Sequence, residues 1–164
     1  MIQKITMQEN NDLTIRCYTS ANLLEEHLND DAYQIFQLVS GTGFVFREKH
    51  LSFLAAGDLI FIKPGSSVAW SLSCRSILHC CKVSPLYFEQ YPYMTKLFKQ
   101  DSIFNFRGII SNLPRGQAAT IGMLFKMIRD EVEGIHDDKK DAILIYLQML
   151  LLLANRVGHT SLEH

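Results

Sequence analysis

The chain has 164 residues, 48% of them apolar, with 16 basic and 17 acidic side chains and a net charge of −1. That is the size of one domain, with apolar mass enough to bury a core without disulfides or a structural metal. The charge balance excludes a nucleic-acid surface of the usual kind, which needs a clear excess of Lys and Arg. A charged fraction of 20% and a mean hydropathy of +0.04 imply some apolar surface held against a partner.

Met1 to Leu13 contains no long apolar region, so no signal peptide is expected. The longest uncharged run, Ala142 to Asn155, is short of the about 20 residues that a membrane span needs, and no membrane partner is expected. The cysteines, Cys17, Cys74, Cys80 and Cys81, form neither a CxxC pair nor a spaced framework, which implies reduced thiols and a cytoplasmic location. Leu162-Glu163-His164 reads as the start of an expression tag.

The elements follow in chain order. Met1 to Asp12 is a polar stretch, and Leu23 to Leu28 suits either a helical turn or an irregular strand. Strands are predicted at Tyr33–Ser40, Phe44–Phe46, Leu51–Leu54, Leu59–Ile62, Val68–Leu72 and Ile77–Val83, with Pro85 as a stop. They are separated by Gly41-Thr42-Gly43, the charged turn Arg47 to His50, Gly57-Asp58 and Lys63-Pro64-Gly65. Short strands broken by turn residues at roughly 8–12-residue spacing predict a sandwich or small barrel.

After Pro114 the period changes. Ile121, Leu124, Phe125, Ile128 and Val132 share one helical face, and Gly134 is a candidate C-cap. Asp137 or Asp138 can cap a second helix running to about Val157, antiparallel to the first because the connection is short. Its polar residues, Asp141, Gln148 and Asn155, recur every seventh position as a narrow stripe. A helix resting on one domain needs an apolar stripe somewhat over 100° wide. This one is apolar most of the way round. It is expected to be covered on two sides, either between the barrel and the first helix or between its own domain and a second copy. For a homodimer the expected contacts are Leu144, Leu147, Gln148 and Leu151.

Enzyme chemistry finds little support. A metal site in a small barrel needs close His residues with a carboxylate on one strand, and a further His after the Pro-Gly turn. The chain offers only His50 and Glu48 in a charged turn, and Val68 follows Pro64 where that His would stand. No metal and no cofactor are expected. Cys80 and Cys81, adjacent on a strand, point to opposite faces, and Lys82 alone does not activate a thiol. Gly41-Thr42-Gly43 lacks a third glycine and a following helix, so it is a turn rather than a phosphate loop.

What remains is an aromatic-walled barrel. Phe36, Phe44, Phe46, Phe53, Phe61 and Trp70, the only tryptophan, all lie on predicted strands. An aromatic surface with a few polar groups suits a small organic ligand. The candidate ligand-binding residues are Trp70, Phe36, Phe46, Gln37 and His79, with a satisfied core histidine as the plainer reading of His79.

Gly41-Thr42-Gly43, a hairpin, then Gly57-Asp58 running through to Pro64-Gly65, Val83-Ser84-Pro85 and the Leu-rich stretch Ala142 to Arg156 together resemble the N-terminal sensing domain of AraC-type transcriptional regulators. The resemblance covers about residues 30 to 157. It implies a mainly β, cupin-like jelly roll over residues 1–113 with its N-terminal arm, and a helical dimerisation hairpin over 114–161. It further implies an effector in the barrel, with Trp70 at a pocket position, and DNA contacted only through a helix-turn-helix half beyond these residues. Val68 and the Cys80-Cys81 pair depart from the family pattern, so no sugar effector is implied. A metal-dependent cupin enzyme and a cyclic-nucleotide sensor are the alternatives. The first lacks ligands, and the second lacks the phosphate-holding context around Arg115.

Overall fold

The computed structural model describes residues 4–6, 13–19, 31–99, 104 and 108–160. Its strands form two antiparallel sheets. The larger has the order β1 (Lys4–Thr6), β2 (Leu13–Thr19), β8 (Ile77–Val83), β3 (Tyr33–Ser40), β6 (Leu59–Ile62) and β9 (Ile109–Ile110). The smaller has the order β5 (His50–Ala55), β4 (Thr42–Arg47) and β7 (Val68–Leu72). They face one another as a jelly roll, and among the described residues no strand pairing closes it into a complete barrel. The predicted strands are present, four of them with the expected bounds.

The motifs that punctuate the strands prove to be backbone devices. Gly41 has φ +93°, and a Cβ there would run into the Ser76 hydroxyl. Gly43 faces the carbonyl of Ser71 on the neighbouring strand too closely for any side chain. Gly57, at φ +97°, opens the turn into β6. The buried Asp58 carboxylate then accepts the Ala55 N–H at 2.9 Å and the Ser111 hydroxyl at 3.4 Å. An L side chain in that left-handed region costs about 1 kcal/mol or more. The glycine-containing motifs behind the family resemblance therefore shape turns.

Two short helices were not anticipated, α1 (Pro85–Glu89) and α2 (Pro92–Lys99). Pro85 does stop the strand, but it also starts a helix. Proline is favoured at a first helical position, where no N–H partner is needed, and the Ser84 hydroxyl accepts the Leu86 N–H at 3.3 Å. The helix pair follows as expected: α3 (Arg115–Glu133) and α4 (Lys139–Thr160). Gly134 ends α3 in an extended rather than left-handed conformation. A Cβ there would sit tightly against the Asp130 carbonyl, at 3.2 Å, so a side chain would require a small local shift. Asp138 stands just ahead of α4, its carbonyl accepting the N–H groups of Asp141 and Ala142. The region left open at Leu23–Leu28, most of the N-terminal arm and Leu162–His164 lie outside the described residues.

The larger sheet is apolar on both faces. Between the sheets lie Phe36, Leu38, Val45, Leu54, Ile60, Ile62, Trp70, Leu78 and Cys80. On the other face Ile35, Leu59, Phe61, Cys81 and Val83 meet the helices through Ile121, Phe125, Ile128, Ile143 and Leu147. The helices thus continue the core of the sheet. This corrects part of the dimer expectation. Leu147 and Leu151 are wholly buried within the single chain and are not available to a second copy, because the row Ile143, Leu147, Leu150, Leu151, Ala154 is the face turned inward. Leu144 and Gln148 stand half-buried at its margin. The outward face carries Ile145 and Met149, 53% and 47% exposed. By length and composition alone α4 could cross a membrane, but that inner row is committed to the protein core.

Candidate functional site

Strand parity assigns every inward side chain. Along β3, Gln34, Phe36 and Leu38 face the smaller sheet, while Tyr33, Ile35 and Gln37 face the helices. The register sets Phe36 opposite Cys80 and Gln37 opposite His79, so β8 sends Leu78 and Cys80 inward and His79 and Cys81 toward the helices. On the smaller sheet Val45 is opposite Trp70, and both point inward.

The five candidate ligand residues therefore divide among three surfaces. Trp70 and Phe36 meet inside the barrel, ring centroids 5.0 Å apart and planes inclined by 59°. Gln37 and His79 lie on the opposite face of the same sheet, beneath α3. Gln37 Nε2 donates to the Ala118 carbonyl at 3.1 Å, against the bare backbone of Gly122, and His79 stacks obliquely on Phe125 at 5.9 Å. Burial, aided by Arg129, pulls the His79 pKa below its ordinary value. Phe46 points outward from the smaller sheet and is 48% exposed, with Phe44, Leu51 and Phe53 around it. Gln37, His79 and Phe46 are thus set apart from the barrel interior. The separation of Phe36 from Gln37 was readable from their adjacency alone, since neighbours on a strand face opposite ways.

Besides Trp70, the barrel interior holds a polar side chain that sequence reasoning missed, Gln34. Gln34 is 1% exposed and Trp70 9% exposed. Gln34 Oε1 and Trp70 Nε1 are both buried with no hydrogen-bond partner. A buried polar atom left in this state costs about 1–3 kcal/mol, and the great majority in folded proteins are satisfied. Lys82 is the register neighbour of Gln34 on β8. Arg47, at the end of β4, donates from Nη1 to the Phe61 carbonyl at 2.9 Å and so ties the two sheets together. Burial lowers its pKa, opposed by Glu48. The clue to Gln34 was its parity with Phe36 and Leu38 in an otherwise apolar strand.

Among the described residues no three His, Cys, Asp or Glu side chains come together as a potential metal site. Val68 stands half-buried at the start of β7. Cys80 and Cys81 are both buried, and burial pushes the Cys81 thiol far up, which keeps it protonated and inert.

The architecture is an antiparallel jelly roll followed by a helix pair. Among solved structures, the chain is similar to the AraC-like transcriptional activator CuxR, with a TM-score of 0.55 and 9% identity over 89% of this chain and 51% of that one. It is also similar to a ToxT variant from Vibrio cholerae, with a TM-score of 0.53 and 11% identity over 84% of this chain and 53% of that one. At these identities the likeness is one of fold, and the chain spans about half the length of either protein. No protein-family model and no curated protein sequence matches it.

Proposed function

We propose that this chain is the effector-sensing and dimerising half of an AraC-type transcriptional regulator, cytoplasmic and without catalytic activity. A small molecule binds between the sheets beside Trp70 and Phe36. DNA is reached only through a helix-turn-helix half outside these residues. The observation that supports this reading best is the shared architecture of barrel and helix pair, which extends over nearly all of this chain and half of each regulator. Homodimerisation uses the outward row of α4 around Ile145 and Met149, spaced one turn apart, with half-buried Leu152 extending it. A two-fold axis would set that row against its own copy. A metal-dependent enzyme is the weaker reading because among the described residues the donors are not brought together.

The test pairs two measurements on the isolated chain. Sedimentation should give a dimer at tens of micromolar, and a mobility-shift assay should show no sequence-specific retention of duplex DNA, since clustered Lys and Arg supply affinity for phosphates and the net charge is −1. A species near the monomer mass of 18.8 kDa, or nanomolar DNA binding, would overturn the assignment.

A further inference from the structure

We propose that the barrel ligand is a small, flat, uncharged molecule bearing a hydroxyl group, which donates to Gln34 Oε1 and accepts from Trp70 Nε1. This rests on the reading of the barrel as an effector site and adds the chemistry of what enters it.

The two orphaned atoms have opposite sense. Gln34 Oε1 is an acceptor and lacks a donor, while Trp70 Nε1–H is a donor and lacks an acceptor. Both belong to side chains more than nine-tenths buried. They line the two facing inner walls: Gln34 shares the inner face of β3 with Phe36, two residues along the strand, and Phe36 is the ring partner of Trp70 on the smaller sheet. An ionised carboxylate can only accept, and would meet the Gln34 carbonyl without a proton to offer. An ammonium can only donate, and would leave the indole unmet. A hydroxyl does both through one oxygen. Phe36, Val45, Ile62 and Cys80 supply apolar wall that suits a flat hydrocarbon body, while of the inner-face cations Arg47 is bonded to the Phe61 carbonyl and Lys82 stands beside Gln34 in the register. A sugar would bring several hydroxyls, each needing a partner, whereas the described inner face leaves only these two atoms unmet.

Gln34 also has a cost that function would explain. A buried amide oxygen without a partner destabilises the unliganded protein, and a ligand that supplies the donor removes the penalty. Replacing Gln34 by Met, of similar length and without the acceptor, should therefore raise the melting temperature of the unliganded protein by roughly 3 °C.

The experiment uses phenol, toluene and benzoate as probes, titrated against Trp70 emission, the only tryptophan signal, in the wild type and in Gln34→Met. Phenol should bind about tenfold more tightly than toluene in the wild type. Gln34→Met should abolish that advantage while leaving toluene unchanged, and benzoate should bind least. A lower melting temperature for Gln34→Met would show that the amide is structurally satisfied and would overturn the proposal. Equal binding of phenol and toluene would overturn it too, while leaving the barrel a ligand site. Benzoate binding tightest would replace it with an anion site governed by Lys82. If none of the probes alters Trp70 emission, the hydroxyl site is excluded and, unlike the two preceding outcomes, the effector reading loses its support as well.

Discussion

The two sheets are built from similar strands but live in different surroundings. The larger is covered twice, by the smaller sheet on its inner face and by α3 and α4 on its outer face. The smaller is covered once. Its outer face leaves Phe44, Phe46, Leu51 and Phe53 substantially exposed, with Phe44 and Phe53 in edge-to-face contact at 5.5 Å. A strand inside a doubly covered sheet can bury both of its side-chain rows, which is why β6 reads Leu59-Ile60-Phe61-Ile62 without alternation. The larger sheet is thus the frame of the molecule and the smaller one its inner wall. Each change below loads one sheet more than the other.

The largest effect belongs to the sheet–helix layer. Leu151→Glu places a carboxylate among wholly buried side chains and should cost about 4 kcal/mol or more, enough to unfold a domain of ordinary stability. Met149→Glu, two residues earlier on the outward face, should change stability by about 0.5 kcal/mol or less and convert dimer to monomer. Chemical denaturation and sedimentation of the two variants separate the roles. A folded, monomeric Leu151→Glu would mean that the inward face of α4 has been misassigned.

Trp70 comes next, because it joins the two sheets. With its ring packed against Phe36 in the interior, Trp70→Ala should cost roughly 3–5 kcal/mol through lost contacts and the cavity left behind. It is therefore a stability variant first, and Trp70→Phe is the better probe of ligand binding. An Ala variant as stable as the wild type by urea denaturation would show that Trp70 does not hold the sheets together.

This bears on what the sequence could disclose. The bounds of four strands, both long helices and the buried row of α3 were legible, because each depends on local period and turn chemistry, whereas β1, β2 and β9, which exist by pairing onto the edges of a sheet built elsewhere in the chain, were not expected. The division of Trp70, Phe36, Phe46, Gln37 and His79 among three surfaces was not, because it depends on register between strands far apart in the chain. Phe36 and Gln37 are the exception, since adjacency alone parts them. Gln34 was passed over because a glutamine in a strand is ordinarily a solvated residue, and only the second sheet buries it. The inward turn of Leu147 and Leu151 was illegible for a similar reason: a helix apolar most of the way round does not say which side meets its own sheet.

A smaller effect tests the outer face of the larger sheet by pH. His79 lies between that sheet and α3, its Nδ1 buried and unpartnered, and its folded pKa is depressed from 6.5 by burial and by Arg129. The unfolded chain therefore takes up a proton more readily than the folded one. The stability that His79 contributes when neutral is fully present above about pH 6.5 and declines as the pH falls toward the lower folded value. Urea midpoints should drop between pH 7.5 and 5, and His79→Leu should flatten that part of the profile. An unchanged slope in the variant would place the pH response elsewhere.

The smallest expected change asks whether the two sheets unfold as one. The hairpin between β4 and β5 turns through Glu48 and Lys49 at φ +46° and +70°, a two-residue turn of the kind that prefers Asn-Gly. Each side chain in the left-handed region costs about 1 kcal/mol, partly offset by the greater freedom that glycine gives the unfolded chain. Glu48→Asn with Lys49→Gly should therefore stabilise the hairpin by about 1 kcal/mol, or roughly 3 °C in melting temperature if the whole domain feels it. It should feel it, because Arg47, beside the turn, reaches the Phe61 carbonyl of the larger sheet, and Trp70 on the same small sheet meets Phe36 across the interior. Hydrogen exchange distinguishes the alternatives. Slower exchange throughout β3, β6 and β8 together with β4 and β5 means one cooperative unit. Slower exchange confined to β4 and β5, with the melting temperature unmoved, would mean that the smaller sheet opens by itself, exposing the interior to solvent and ligand without disturbing the frame.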